Sequence, residues 1–137
     1  MGGWTLLDSN KLLASAQCES PFPGGIVEFE ENKIEPPSRA YLKLQEAFAR
    51  IGKLPEKGSR VLDAGACPGG WTWVLSEAGA DIIAVDRSPL DERLMQRPDI
   101  RYVQHDAFTL KPEDIGPLDW FCSDVICYPP KLLDWIQ

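Results

Sequence analysis

Four short apolar runs punctuate the second half of the chain, Val61-Leu62-Asp63-Ala64, Asp81-Ile82-Ile83-Ala84-Val85-Asp86, Ile100-Arg101-Tyr102-Val103-Gln104 and Leu118-Asp119-Trp120-Phe121-Cys122-Ser123-Asp124. Short runs of this kind, largely without two-residue alternation, predict strands buried on both faces, as in a parallel sheet. The stretches between them carry helix signals. Thr72 to Ala78 continues a crossover helix that Gly79 stops. Ser88-Pro89-Leu90-Asp91 reads as the start of a short helix through Met95, with proline first and an acid near the positive end. Another helix starts near Pro129. Strand and helix alternate, so the prediction is an open α/β sheet.

Upstream, Pro36-Pro37-Ser38 marks a boundary, with Ser38 as candidate N-cap of a helix running to Ile51 and stopped by Gly52. Tyr41, Leu44, Phe48 and Ile51 recur at helical spacing and define its buried stripe. Arg39, Lys43, Glu46 and Arg50 fall on the other side, so periodicity alone makes Lys43 a solvated lysine. The first 37 residues read as strands at Trp4 to Leu7 and Leu12 to Ala16 around the turn Asp8-Ser9-Asn10. Ser20-Pro21-Phe22-Pro23-Gly24-Gly25 then breaks regular structure, and Ile26 to Glu30 alternates as one more strand. The expected organisation is a small β appendage, residues 1–37, packed against a main domain, residues 38–137.

The candidate chemistry lies where the first apolar run turns, at Asp63-Ala64-Gly65-Ala66-Cys67-Pro68-Gly69-Gly70-Trp71. Glycines let backbone approach a ligand or take positive φ, and the helix that follows offers free N–H groups at its positive end. The spacing is not the G-x-G-x-x-G of dinucleotide folds, and no Lys-Ser or Lys-Thr completes a phosphate-binding P-loop. Asp63 and the strand-ending Asp86 remain. A carboxylate at the tip of the second strand accepts bonds from both hydroxyls of a ribose, which selects an adenosine-like cofactor without pyrophosphate, and S-adenosylmethionine fits. The plainer reading is a glycine turn that only joins strand to helix.

This loop, with Ser38-Arg39-Ala40-Tyr41-Leu42-Lys43-Leu44 before it and Ser123-Asp124 after it, resembles the FtsJ-type (RrmJ- and RlmM-like) ribose methyltransferases, most closely the branch acting on large-subunit ribosomal RNA. The similarity runs from about Pro36 onward. It implies a Rossmann-like methyltransferase fold, here partial, with strand order 3-2-1-4. It also implies S-adenosylmethionine as cofactor, held by Asp63, Gly65 to Trp71 and Asp86, with Asp106 and Ala107 flanking the adenine. Lys43 and Asp124 match the first two members of the family's Lys-Asp-Lys-Glu catalytic set. The second lysine and the glutamate have no counterpart, since Lys131 follows Asp124 too early, and the sequence stops inside the helix from Pro129. The expectation is the N-terminal portion of a methyltransferase domain, with weak or no catalysis alone. Base N-methylation is disfavoured, because Asp124-Val125-Ile126-Cys127-Tyr128-Pro129-Pro130 places its prolines after the tyrosine.

Composition narrows the partners. The 137 residues are 44% hydrophobic, room for one core, and no apolar span is long enough to cross a membrane. The N-terminus lacks a secretory signal, so a cytoplasmic location is expected. Four cysteines without a C-x-x-C pair and a single histidine, His105, make no usual zinc set, so no metal is expected and the thiols should be reduced and mostly buried. A net charge of −7 opposes a broad nucleic-acid surface, and the structured ribosomal RNA that the resemblance implies as partner calls for a small basic patch. Two alternatives stay open: a cofactor-binding module or scaffold without chemistry, and a small-molecule methyltransferase.

Overall fold

A computed structural model describes residues 2–136. In chain order the elements are β1 (Gly3–Asp8), β2 (Lys11–Ser15), α1 (Tyr41–Ile51), β3 (Arg60–Ala64), α2 (Gly70–Glu77), β4 (Asp81–Asp86), α3 (Glu92–Met95), β5 (Ile100–Gln104), α4 (Pro112–Ile115), β6 (Trp120–Ser123) and α5 (Pro129–Ile136). β3 to β6 make one parallel sheet in the spatial order β5-β4-β3-β6. Numbered within that sheet, the order is the expected 3-2-1-4.

Both faces of the sheet are covered, which is why its strands read as apolar runs. Val61, Ile82, Ala84, Ile100 and Cys122 pack under Tyr41, Leu44 and Phe48 of α1, Trp73 to Leu75 of α2, and Leu90 and Leu94 around α3. Tyr41 meets Trp73 edge-on at 5.5 Å between ring centroids, and Phe48 meets Trp120 likewise at 5.7 Å. On the other face Leu62, Ala64, Ile83 and Val85 lie against Ala107, Leu110, Ile115, Leu118 and Trp135 of α5. Among the described residues no helix is long and apolar enough to cross a membrane.

Several expectations are corrected. α1 starts at Tyr41, and Ser38 makes no cap. The chain enters through a helical turn in which the N–H groups of Leu42 and Lys43 bond to the carbonyls of Arg39 and Ala40. A cap at Ser38 would serve the N–H of Ala40 or Tyr41, whereas the first backbone bonds serve Leu42 and Lys43, so the helix begins without a side-chain cap. Ile51 leaves the predicted stripe and is 60% exposed, whereas Tyr41, Leu44 and Phe48 are buried. α3 begins at Glu92, three residues beyond Pro89, with the Asp91 carboxylate accepting from the N–H of Arg93 as its cap.

The N-terminal hairpin forms, joined at Ser9-Asn10, but the packing expected of it does not: Trp4 is 71% exposed, and Leu6, Leu7, Leu12 and Leu13 are exposed with it. Ile26 to Glu30 finds no partner strand and stays unpaired. Residues around it are tied to the domain by side chains instead. Arg50 donates to the Gly25 carbonyl at 3.0 Å, the Asn32 N–H donates to the Tyr41 hydroxyl at 2.7 Å, and Arg93 donates to the Ile34 carbonyl at 3.2 Å. All four cysteines are free, as expected, but only Cys122 is buried.

The two ends of the predicted stripe should therefore behave differently. In urea denaturation Phe48→Ala is expected to lower stability by about 3–5 kcal/mol, since it empties a packed position. Ile51→Ala should stay within about 0.5 kcal/mol of the parent, as for other exposed sites. Equal losses at the two positions would contradict this packing.

Candidate functional site

The register of the parallel sheet sets the heights of the strand tips. Ala64 of β3 pairs with Val85 of β4 and with Ser123 of β6, so the next residues, Gly65, Asp86 and Asp124, leave the sheet at one level on its carboxyl edge. That edge is where open α/β sheets bind ligands. A cleft of about 410 Å³ opens there, lined by Gly65, Asp86, Asp106, Ala107, Asp124 and, beyond the residues expected, Arg87, His105, Phe108, Val125 and Ile126. A small crevice beside it is lined by Gly65, Ala66, Cys67, Pro68, Gly70, Trp71 and Asp124, together with Ser38 and Ala40. Asp86, Asp106 and Gly65 therefore share one hollow.

Two expected residues sit beneath this surface. Asp63 is 1% exposed, and the Thr72 hydroxyl donates to its carboxyl at 2.6 Å, which fastens the first turn of α2 to β3. Burial pushes the Asp63 carboxyl up to about 7, against the Thr72 bond that lowers it and with the charges of Asp86 and Asp124 adding to the rise. Gly69, at φ 114°, faces Leu94 and Pro37 rather than the cleft, so a side chain there would collide with the core. Gly65 takes φ 82°, and a Cβ on it would lie 2.5 Å from the Val125 side chain. Both positions demand glycine, for conformation and for space.

The loop is held by its neighbours. The Cys67 N–H donates to one Asp86 oxygen at 3.0 Å and the Ser88 N–H to the other at 2.9 Å. The Cys67 thiol points to the Pro89 carbonyl at 3.3 Å, and the Trp71 indole N–H donates to the Ala40 carbonyl at 2.9 Å. Asp106 accepts from the Phe108 N–H at 3.0 Å and pairs with Arg87, whose guanidinium holds the Asp106 carboxyl below its ordinary range.

Lys43 is where helical periodicity and family resemblance disagreed. Its Nζ reaches across to both oxygens of Asp124, at 2.8 and 3.1 Å, although the two residues lie 81 positions apart. The pair is open to solvent, with side-chain exposures of 64% and 37%. It stands beside the cleft that Asp124 lines.

The residues fit a nucleoside cofactor with a polar tail. Asp86 keeps acceptor capacity on both oxygens after its two backbone bonds. The Ser38 hydroxyl is a buried polar oxygen without a partner, and it lines the crevice. A buried group of this kind calls for a ligand or a water. Its sequence signals were the helix-cap pattern, which pointed to another role, and its place at the head of the stretch that carries the family resemblance. Phe108, Val125 and Ile126 had no signal, since an apolar residue beside a strand tip reads as core.

A family model described as FtsJ-like methyltransferase matches residues 36–132. The chain belongs to this family. Among relatives of this FtsJ-like chain, ribosomal RNA large subunit methyltransferase M of Halorhodospira halophila is 35% identical over 125 residues, covering 89% of this chain and 36% of that protein. A Streptococcus thermophilus structure described as a hemolysin superposes with a TM-score of 0.63 at 30% identity, over 71% of this chain and 37% of that one. A structure described as a ribosomal RNA methyltransferase of Plasmodium falciparum gives 0.53 at 25% identity, over 71% and 61%. The chain spans about a third of the length of the curated relatives it matches.

The buried carboxyl makes a pH prediction. Its native value, about 7, lies above the ordinary 3.8, so between those values the native protein keeps a proton that the unfolded chain has released. Stability should fall by a few kcal/mol as pH rises from about 4 to about 7, then level off. In Asp63→Asn that slope should largely vanish in urea titrations across the interval. A wild-type slope that persists in the variant would assign the effect elsewhere.

Proposed function

We propose that this chain is the cofactor-binding portion of an S-adenosylmethionine-dependent methyltransferase that modifies a ribose 2′-hydroxyl of ribosomal RNA in the cytoplasm. On this reading residues 38–137 belong to the methyltransferase domain and residues 1–37 are an appendage. The observation that carries the reading is the contact of Lys43 with both Asp124 oxygens beside a nucleoside-sized cleft. Its volume falls within the roughly 300–1,000 Å³ of small-molecule sites.

Bound S-adenosylmethionine supplies a methyl group on an electron-poor sulfonium centre. Asp86 would accept from the ribose hydroxyls, Asp106 and Ala107 would border the adenine, and the loop from Gly65 to Trp71, with Asp63 fixing it from below and Ser38 beside it, would take the amino-acid end. Transfer to a hydroxyl is an in-line displacement in which the attacking oxygen must be positioned and lose its proton. Asp124 holds the Lys43 amine by both carboxylate oxygens, so the amine is directed to one place instead of ranging over solvent. There it donates to the attacking oxygen and stabilises the negative charge that grows on it, while the hydroxyl proton passes to the solvent to which the pair is open. Asp124 is not followed directly by Pro-Pro-Tyr or Pro-Pro-Phe, the arrangement usual for exocyclic amines, which supports oxygen as the acceptor.

Calorimetry on residues 1–137 should detect S-adenosylmethionine binding, and Asp86→Asn should weaken it about tenfold or more, the scale of a lost charged hydrogen bond. An absence of binding by the parent would remove the cofactor assignment. In cells lacking the gene, mass mapping of large-subunit RNA should show one ribose methyl group missing. The wild-type gene should restore it, and a Lys43→Ala allele should not, although the variant protein still binds cofactor. Full restoration by that allele would remove Lys43 from the chemistry.

A further inference from the structure

Asp124 opens the turn Val125-Ile126-Cys127-Tyr128 that leads from β6 into α5. Val125 packs over the glycine bend at Gly65. Further along, Ile126 lines the cleft yet is fully exposed, and Tyr128 is 84% exposed. The backbone under Tyr128 is nonetheless ordered. Pro129 restricts it to extended conformations, Pro130 fixes the first turn of α5, and the Tyr128 carbonyl accepts from the Leu132 N–H at 3.2 Å. An aromatic ring is thus held out into solvent on a rigid stem.

Its position relative to the reaction follows from Asp124, which grips the Lys43 amine with both oxygens. From Asp124 to Tyr128 the chain spans at most about 14 Å. A nucleotide whose 2′-hydroxyl meets that amine carries its base on the adjacent ribose carbon, so the base emerges within reach of this turn. Charge then narrows what the ring recognises. Residues 125–130 have no charged side chain, and the whole chain carries −7, so attraction to phosphate is not the force available here. Stacking of a base on an aromatic face needs no counter-charge, and an ordered stem lowers its entropic cost. Two side chains fall far short of the roughly 800 Å² per partner that a stable protein interface buries. We infer that Tyr128 is the platform on which the base of the acceptor nucleotide stacks, with Ile126 as its apolar flank toward the cleft. This rests on the ribose-methylation reading above and adds to it the part of the RNA that this chain grips. That part is a base drawn out of its helical stack, the form in which proteins read RNA bases on aromatic side chains.

The test follows, in cells lacking the gene, the rate at which the missing ribose methyl group reappears on large-subunit RNA when one allele is induced at matched protein level. Tyr128→Ala should slow this about tenfold, the scale of one base–aromatic stack. Tyr128→Phe and Tyr128→Trp should stay within about twofold of the parent. Tyr128→Leu keeps apolar bulk without a flat ring and should be as slow as Tyr128→Ala. Calorimetry on residues 1–137 should show Tyr128→Ala binding S-adenosylmethionine within about twofold of the parent, since Tyr128 lies outside the cleft lining. Should Tyr128→Ala fail to accumulate, the contrast between the Leu and Phe alleles decides. A full rate in Tyr128→Ala, or a Leu allele as fast as the Phe allele, would overturn the assignment. Loss of cofactor binding in Tyr128→Ala would make the ring a structural element and overturn it too. If the parent gene restores no methyl group, the ribose-methylation reading fails and takes this inference with it; restoration by the parent and equally by Tyr128→Ala removes this inference alone.

Discussion

The pairing of β3 with its two neighbours is the constraint on which the site depends. Parallel strands in register end at the same height, so the residues that follow Ala64, Val85 and Ser123 are neighbours without any contact between them in sequence. A shift of one residue in either ladder would turn every side chain of that strand to the opposite face, exchanging buried Leu62 and Ala64 for Val61 and Asp63. Because both faces are packed, such a shift is resisted along the whole strand. The alignment of Asp86 and Asp124 with the glycine bend is a by-product of core packing, and no site residue has to enforce it.

Beneath that alignment lies a second device, the buried Asp63 carboxyl and the Thr72 hydroxyl. An ionised carboxylate in this place would face desolvation and two further acids nearby, and these raise the group's proton affinity so that it stays protonated up to about neutrality. The bond joins β3 to the helix that follows the glycine bend. It therefore fixes the angle at which the loop leaves the sheet while the loop itself stays free of bulky groups.

The strands were legible because parallel-sheet strands are apolar on both faces, and β5 and the start of α5 fall where the sequence places them. The glycine bend was legible because few residues other than glycine accept its backbone angles. What escaped had non-local causes. The partner of Lys43 stands just past the end of β6, 81 residues away, which no helical period can report. Ser38 has the composition of a cap, but the helix begins later, at Tyr41, on backbone bonds alone. Ile26 to Glu30 alternates like a strand and lacks a neighbour to pair with, and pairing is what makes a strand. Phe108 carried no pattern that sets it apart, and it is half-buried.

Cys67 shows how the acid-rich setting acts on chemistry that is not catalytic. Its thiol lies in the glycine loop beside the cleft, a place where a thiolate would be open to peroxide and to alkylating reagents. Partial burial, and then the Asp86 carboxylate, raise its proton affinity, so the sulfur remains in its unreactive form. The loop thereby keeps a small polarisable side chain against Pro89 in its thiol form, which is less open to oxidation than a thiolate.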